Sequence, residues 1–132
     1  MERYARNASA VFSLKFHLVW CPKYRNPVLT EKVAARLEEL IWQKCGELNL
    51  TVHNLMIMPD HVHLFVECEP IYSVAEITNR LKGYSSHVLR DEFPWLKSRL
   101  PTLWSRSYYA GSVGAVSEAT IKRYIESQKG SK

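Results

Sequence analysis

The run His61-Val62-His63-Leu64-Phe65-Val66 puts an apolar residue at every second position, a period that only an extended strand turns into one continuous face. Val62, Leu64 and Val66 then point into a core, and His61 and His63 project side by side from the opposite face, their Cα atoms roughly 6.6 Å apart. Just before this run, Met58-Pro59-Asp60 has turn chemistry, and residues from about Leu50 to Met58 read as another strand. The two strands are therefore predicted to form a hairpin.

The remaining segments give the hairpin a setting. From Ala10 to Trp20, Phe12, Leu14, Phe16 and Leu18 alternate with Ser13, Lys15 and His17, a first strand. Pro22 and Pro27 bracket a loop. Thr30 is a plausible N-cap for a helix whose apolar positions are Val33, Leu37, Leu40, Ile41, Cys45 and Leu48. Ser73 and Glu76 have the spacing of a capping box, followed by a stripe of Val74, Ile77, Leu81, Tyr84 and Val88. Pro94 and Pro101 mark a connector between Phe93 and Leu103. Ser105 to Gly111 reads as a fourth strand, Gly111 to Gly114 as a turn, and Ser117 as the cap of a last helix through Gln128, followed by a frayed tail. The order β-α-β-β-α-β plus a terminal helix predicts an α+β, ferredoxin-like (RRM-like) antiparallel sheet with two helices on one face. No repeat or linker divides residues 1–132, so a single domain is expected.

Composition narrows the function classes. Hydrophobic residues are 46% and charged residues 23% of 132, which excludes disordered and fibrous chains. No apolar run approaches the roughly 20 residues of a membrane span, and no signal peptide is visible at the N-terminus. Cys21, Cys45 and Cys68 are scattered, an odd count for a disulfide scaffold and the wrong spacing for a thiolate zinc site. A reducing cytoplasm is the expected location. Lys and Arg number 18 against 13 acidic residues, a net charge of +5. Basic residues cluster with aromatics in Trp20-Cys21-Pro22-Lys23-Tyr24-Arg25 and in Trp104-Ser105-Arg106-Ser107-Tyr108-Tyr109. Rings that stack on unpaired bases beside cations that meet phosphates suit single-stranded nucleic acid, although half-buried rings with snorkelling cations at a strand edge give the same pattern.

Two imidazoles at the spacing of His61 and His63 can converge on one cation, but such a pair also serves as a plain polar strand face. In the last helix, Tyr124 and Gln128 are four apart and so neighbours on one flank, with Ile121 and Ile125 as an adjacent stripe to dock it. An ordinary amphipathic helix has the same arrangement. His17 sits with Lys15 on the open face, within reach of the site or of a nucleic acid. His53 and His87 are read as surface or structural residues, Asp60 as completing the turn, and Glu67 and Glu69 as ending the strand. Gly111 and Gly114 are read as turn residues or as a hinge for the last helix. Lys23, Arg25, Lys82, Arg90, Arg106, Lys122 and Arg123 are candidate phosphate contacts.

A histidine–hydrophobic–histidine strand followed after roughly sixty residues by a helical Tyr-x-x-x-Gln resembles the HUH single-tyrosine transposases of small insertion sequences, the TnpA family, to which the REP-associated tyrosine transposases are related. The resemblance extends in order through His17-Leu18-Val19-Trp20-Cys21-Pro22-Lys23-Tyr24-Arg25, Met58-Pro59-Asp60-His61-Val62-His63, Leu81-Lys82-Gly83-Tyr84-Ser85-Ser86, Trp104-Ser105-Arg106-Ser107-Tyr108-Tyr109 and Thr120-Ile121-Lys122-Arg123-Tyr124-Ile125, nearly the whole chain. It implies a nuclease and strand transferase acting on single-stranded DNA with hairpin ends. His61, His63 and Gln128 would hold one divalent cation and Tyr124 would be the nucleophile. It also implies a homodimer whose tyrosine helix can complete the partner's site, in a prokaryotic cytoplasm and nucleoid-associated when bound to DNA.

Neutral nitrogen and oxygen ligands leave a cation its full charge and suit Mg²⁺ or Mn²⁺, with open positions for phosphate oxygens. A phenol with an ordinary pKa near 10 needs orientation, a proton acceptor and the nearby cation to attack. Three other readings stay open: a REP-associated, host-domesticated hairpin nuclease; a non-catalytic RRM-like nucleic-acid-binding module; and a histidine metal hydrolase that uses water.

Overall fold

The computed structural model describes residues 5–6, 11–12, 14–112 and 118–128, with side chains for 14–112 and 118–128. Two short strands, β1 (Ala5–Arg6) and β2 (Val11–Phe12), pair with each other. The main sheet consists of β3 (Leu14–Trp20), β4 (Thr51–Met58), β5 (His61–Cys68) and β6 (Tyr109–Ser112). Its order is β4-β5-β3-β6 with every pairing antiparallel, the arrangement that two βαβ crossovers generate when split around a hairpin. The expected ferredoxin-like sheet is therefore present. The alternation in β5 is realised: Val62, Leu64 and Val66 are fully buried while His61, His63 and Phe65 are only partly covered on the other side.

Helices α1 (Glu31–Glu47) and α2 (Val74–Glu92) cover the apolar face. In α1 the buried positions Val33, Leu37, Leu40, Ile41 and Cys45 match the expected stripe. Thr30 stands at its N-cap position, but its hydroxyl makes no capping bond. The α2 stripe is turned slightly from the expectation: Ile77 and Leu81 are buried, but Thr78, Ser85 and Leu89 complete the face, with Val74, Tyr84 and Val88 at its margin. Small hydroxyl residues can be buried there because each bonds the preceding turn, Thr78 Oγ1 to the Val74 carbonyl at 2.8 Å and Ser85 Oγ to that of Leu81 at 2.6 Å. The capping box forms as predicted, Ser73 Oγ accepting from the Glu76 N–H and Glu76 from the Ser73 N–H.

Three boundaries differ from the pattern reading. The first strand is split, since Val11–Phe12 pairs with Ala5–Arg6 and the sheet strand begins at Leu14. The proline-flanked connector holds a short helix, α3 (Trp95–Arg99), because the fixed φ of Pro94 suits a helix start. The last strand begins at Tyr109 rather than Ser105, since residues 104–107 are engaged elsewhere. Trp104 bridges Pro22, the Ser105 N–H donates to the Cys21 carbonyl at 2.9 Å, and Lys82 takes the carbonyls of 105 to 107. The final helix, α4 (Glu118–Ser127), lies on the open face of the sheet. The expected cap at Ser117, the turn at Gly114 and the tail beyond Gln128 lie outside the described residues.

Candidate functional site

The open face of β5 presents His61 beside Met58 of β4, and His63 between Met56 of β4 and Val19 of β3. Across the sheet, His17 stands opposite Phe65 and stacks on it with ring centroids 4.4 Å apart and planes 6° from parallel. That places His17 diagonally from His63, and their Nδ1 and Nε2 atoms meet at 2.9 Å. Burial pulls the pKa of both rings down, and for His63 the neighbouring His17 and His61 add to the effect. At neutral pH the pair is therefore uncharged and shares a single bridging proton, the protonation state that a metal ligand needs.

His61 is held differently. Its Nδ1 lies 2.8 Å from Asp60 Oδ1, and the other carboxylate oxygen lies 3.3 Å from Arg25 Nε. A carboxylate paired with a guanidinium can only accept, so Nδ1 of the imidazole carries a proton and Nε2 is the nitrogen turned away from Asp60. Sequence reading gave Asp60 to the turn; the structure also gives it His61. Its place next to a candidate ligand was the only available signal.

A second cluster surrounds Tyr124. Its hydroxyl lies 2.9 Å from Ser107 Oγ, which donates to Gln128 Oε1 at 2.9 Å. Because a serine hydroxyl has one proton, Ser107 must accept from the phenol, giving a directed chain Tyr124 O–H to Ser107 O–H to Gln128. Ser105 Oγ donates to the same amide oxygen at 3.3 Å, and Gln128 is buried. Burial raises the Tyr124 pKa to about 12, against a smaller lowering by Ser107. The phenol is thus neutral, and the chain ends on an amide oxygen, which is no base. The segment carrying both serines is gripped by Lys82, whose Nζ lies 2.8, 3.3 and 3.2 Å from the carbonyls of Ser105, Arg106 and Ser107. Neither serine was identified from sequence, where nothing local ties Ser107 to a tyrosine seventeen residues away.

Between the clusters runs a cleft of about 830 Å³, with His61, His63, Asp60 and Arg25 on the sheet side and Ile121, Lys122 and Ile125 of α4 on the other. Ile121 and Ile125, expected to dock the helix, share one face of α4, and that face lines the cleft. Tyr124 and Gln128 do not line the cleft, because on a helix they lie on the flank next to it. The structure brings His61 and His63 together, and Tyr124 and Gln128 together, in two neighbouring groups. Among the described residues no third His, Cys, Asp or Glu joins the histidine pair in a metal-holding group.

The basic candidates separate by what they touch. Lys82 and Arg90 serve the backbone, Arg90 donating to the Leu100 carbonyl at 3.1 Å. Arg25 pairs with Asp60 and donates to the Ile125 carbonyl of α4 at 3.2 Å. Lys23 lies 5.4 Å from the Tyr24 ring centre, Lys122 faces the cleft, and Arg106 and Arg123 are exposed. His53 pairs with Glu67 at 3.1 Å beside a bulge in β4, and His87 is exposed on α2.

Comparison with known proteins places these observations in a lineage. The family profile of IS200-like transposases matches residues 10–128. The ISDra2 transposase TnpA of Deinococcus radiodurans is 37% identical over 120 residues, covering 89% of this chain and 86% of that protein. The transposase of insertion sequence element IS200 from Salmonella typhimurium is 30% identical over 119 residues, covering 89% and 78%. A crystal structure assigned as a transposase of Deinococcus radiodurans R1 superposes with a TM-score of 0.84 at 34% identity, over 94% of this chain and 97% of that one. A REP-associated tyrosine transposase bound to a REP hairpin shares the fold, with a TM-score of 0.60 at 12% identity over 96% and 69%.

Proposed function

The chain belongs to the IS200-like transposase family and is a DNA transposase of the insertion-sequence type, and on that premise we propose that it cleaves and rejoins single-stranded ends of its element through a tyrosine–DNA linkage. The observation that carries this reading is the cleft whose one wall holds two adjacent imidazoles and whose other wall is the helix bearing Tyr124.

In this reading His61 and His63 hold a divalent cation, Mg²⁺ or Mn²⁺. The chemistry of the donors supports the fit, since both rings offer nitrogen donors to the same cleft, burial keeps His63 neutral, and Asp60 engages His61 through Nδ1, leaving Nε2 to face a ligand. Gln128 supplies a neutral oxygen as third ligand. The Ser105 and Ser107 hydroxyls occupy its Oε1, so ligation exchanges at least one of them. When bound, the cation supplies Lewis-acid stabilisation of charge on the scissile phosphate.

Tyr124 is the nucleophile. Its oxygen forms a bond to phosphorus as the bond to the 3′ oxygen breaks. The product is a 5′-phosphotyrosine and a free 3′ hydroxyl: the phenol proton passes to an acceptor outside the Ser107–Gln128 chain, and the departing 3′ oxygen takes up one proton from solvent, so that charge and protons balance. One phosphodiester replaces another, so a new 3′ hydroxyl reverses the step and rejoins the strand.

Subterminal DNA hairpins are the recognised substrate in this reading, which the hairpin bound to the REP-associated structural relative supports, with Lys23, Arg106, Lys122 and Arg123 as backbone contacts. The protein acts as a homodimer. Because Tyr124 lies on the flank of α4 beside the cleft and not in it, a helix exchanged between subunits is one way to bring it to the histidine pair.

The test is incubation with labelled single-stranded element ends and Mg²⁺ or Mn²⁺, followed by a denaturing gel. A protein-linked, shifted band is expected, lost with chelator and lost in Tyr124→Phe, which should still bind hairpin DNA. Adducts that survive Tyr124→Phe refute the reading. Binding without cleavage, indifferent to chelator, identifies a non-catalytic module instead.

A further inference from the structure

His61 opens β5 directly after the turn that carries Asp60. What holds its ring is a chain of three contacts: Arg25 Nη1 to the Ile125 carbonyl of α4, Arg25 Nε to Asp60, and Asp60 to His61 Nδ1. The backbone that delivers Arg25 is unusual. Tyr24 and Arg25 both have positive φ, 60° and 53°, in a region that residues with a Cβ seldom occupy. The surrounding structure enforces it, with Lys23 N–H bonded to the Leu103 carbonyl at 2.8 Å and Pro22 bridged to Trp104. Strain maintained by long-range contacts beside a candidate site is the pattern of a residue placed for a purpose.

We propose that Asp60 and Arg25 are positioning residues: Asp60 fixes His61 as the Nδ1–H tautomer with Nε2 presented for a metal ion, and Arg25 makes that arrangement depend on α4 being seated over the sheet. The inference deepens the metal role given to His61 above and rests on it. A carboxylate behind a ligating imidazole sets the ring's orientation and raises its donor strength, and such outer partners usually matter 10–100-fold for metal affinity. In this role both residues act through the His61 ring rather than as ligands themselves. A free imidazole in water favours the Nε2–H form, so without Asp60 the ring would present a proton where a lone pair is needed. Arg25 adds the link to α4, because its planar fork spans the carboxylate and a helix carbonyl at once, which lysine cannot reproduce.

Two measurements test this on the full chain. In the metal-free protein, imidazole nitrogen chemical shifts should report His61 as Nδ1–H, and Asp60→Ala should move it towards Nε2–H. Mn²⁺ binding, followed by electron paramagnetic resonance, should weaken roughly 10–100-fold in Asp60→Ala, less in Asp60→Asn, which keeps an acceptor oxygen, and measurably in Arg25→Lys. His63→Ala, which removes a ligand, serves as the comparison, and circular dichroism confirms that each variant is folded. A wild-type His61 already protonated at Nε2, or an Asp60→Ala affinity within two-fold of wild type, overturns the proposal. If the tautomer shifts as expected but the wild type binds no Mn²⁺, the metal reading itself fails and the proposed role of the chain of contacts falls with it.

Discussion

Replacing Lys82 with Met isolates one strut of the tyrosine cluster. The ammonium grips three successive carbonyls, and hydrogen bonds to a charged group contribute roughly 1.5–3 kcal/mol each when independent. Three bonds to one cation are not independent, so a joint value of about 3–5 kcal/mol is reasonable. Against this stands burial, which draws the Lys82 pKa from 10.5 down to about 8. Converted in full, that shift is roughly 3 kcal/mol, and the side chain's partial exposure reduces it to about 1–2. The bonds win, and the expected net loss in Lys82→Met is about 2 kcal/mol.

For a chain of this length such a loss lowers Tm by roughly 6–10 °C, readable by thermal circular dichroism at pH 7. The sign of the pH dependence gives a second check. A folded-state pKa below the unfolded one means that the unfolded chain binds more protons between about pH 8 and 10.5, so this group makes wild-type stability rise with pH there. Methionine has no such contribution, and the gap between the two proteins should widen across that window. A Tm within 2 °C of wild type, with a gap that is flat from pH 7 to 10, would refute both the strut and its desolvated ammonium.

The other expectations concern the scaffold. Leu64, fully buried between the two candidate ligands and the helix layer, should cost about 2–5 kcal/mol when changed to Ala, measured by urea unfolding. Ser73→Ala removes one half of the capping box and should cost about 1 kcal/mol in the same assay, with Glu76→Ala no more than additive to it if the two bonds are separate. Burial raises Cys21 and Cys45 to about 12 and Cys68 to about 11, so at pH 8 roughly one in a thousand or fewer of these thiols is ionised, and a chromogenic disulfide reagent should react only after denaturant is added. The same shifts predict alkaline weakening: the folded thiols and Tyr124 keep protons that the unfolded chain releases, so their contribution is whole below about pH 9 and is lost as pH climbs towards 12.

Much of this protein is written in local periods. The two-residue alternation of 61–66 determined both that Val62, Leu64 and Val66 enter the core and that His61 and His63 share a face, since neighbouring side chains on a strand cannot point the same way. The four-residue spacing of Tyr124 and Gln128 likewise put them on one helical flank, and Ser73 with Glu76 announced a helix start whose bonds span three residues. These readings depend on backbone geometry alone, and each appears in the structure.

What tertiary packing decided lies between segments distant in sequence. Whether Lys82 and Arg25 meet phosphates or their own chain depended on carbonyls 23 and 100 residues away. The rotation of α2 towards Thr78 and Ser85, the late start of β6 and the partition of the site across α4 were settled in the same way. No spacing rule reaches that far, because a side chain's partner is chosen by which surfaces can be buried together, and that choice exists only once the sheet and helices have packed.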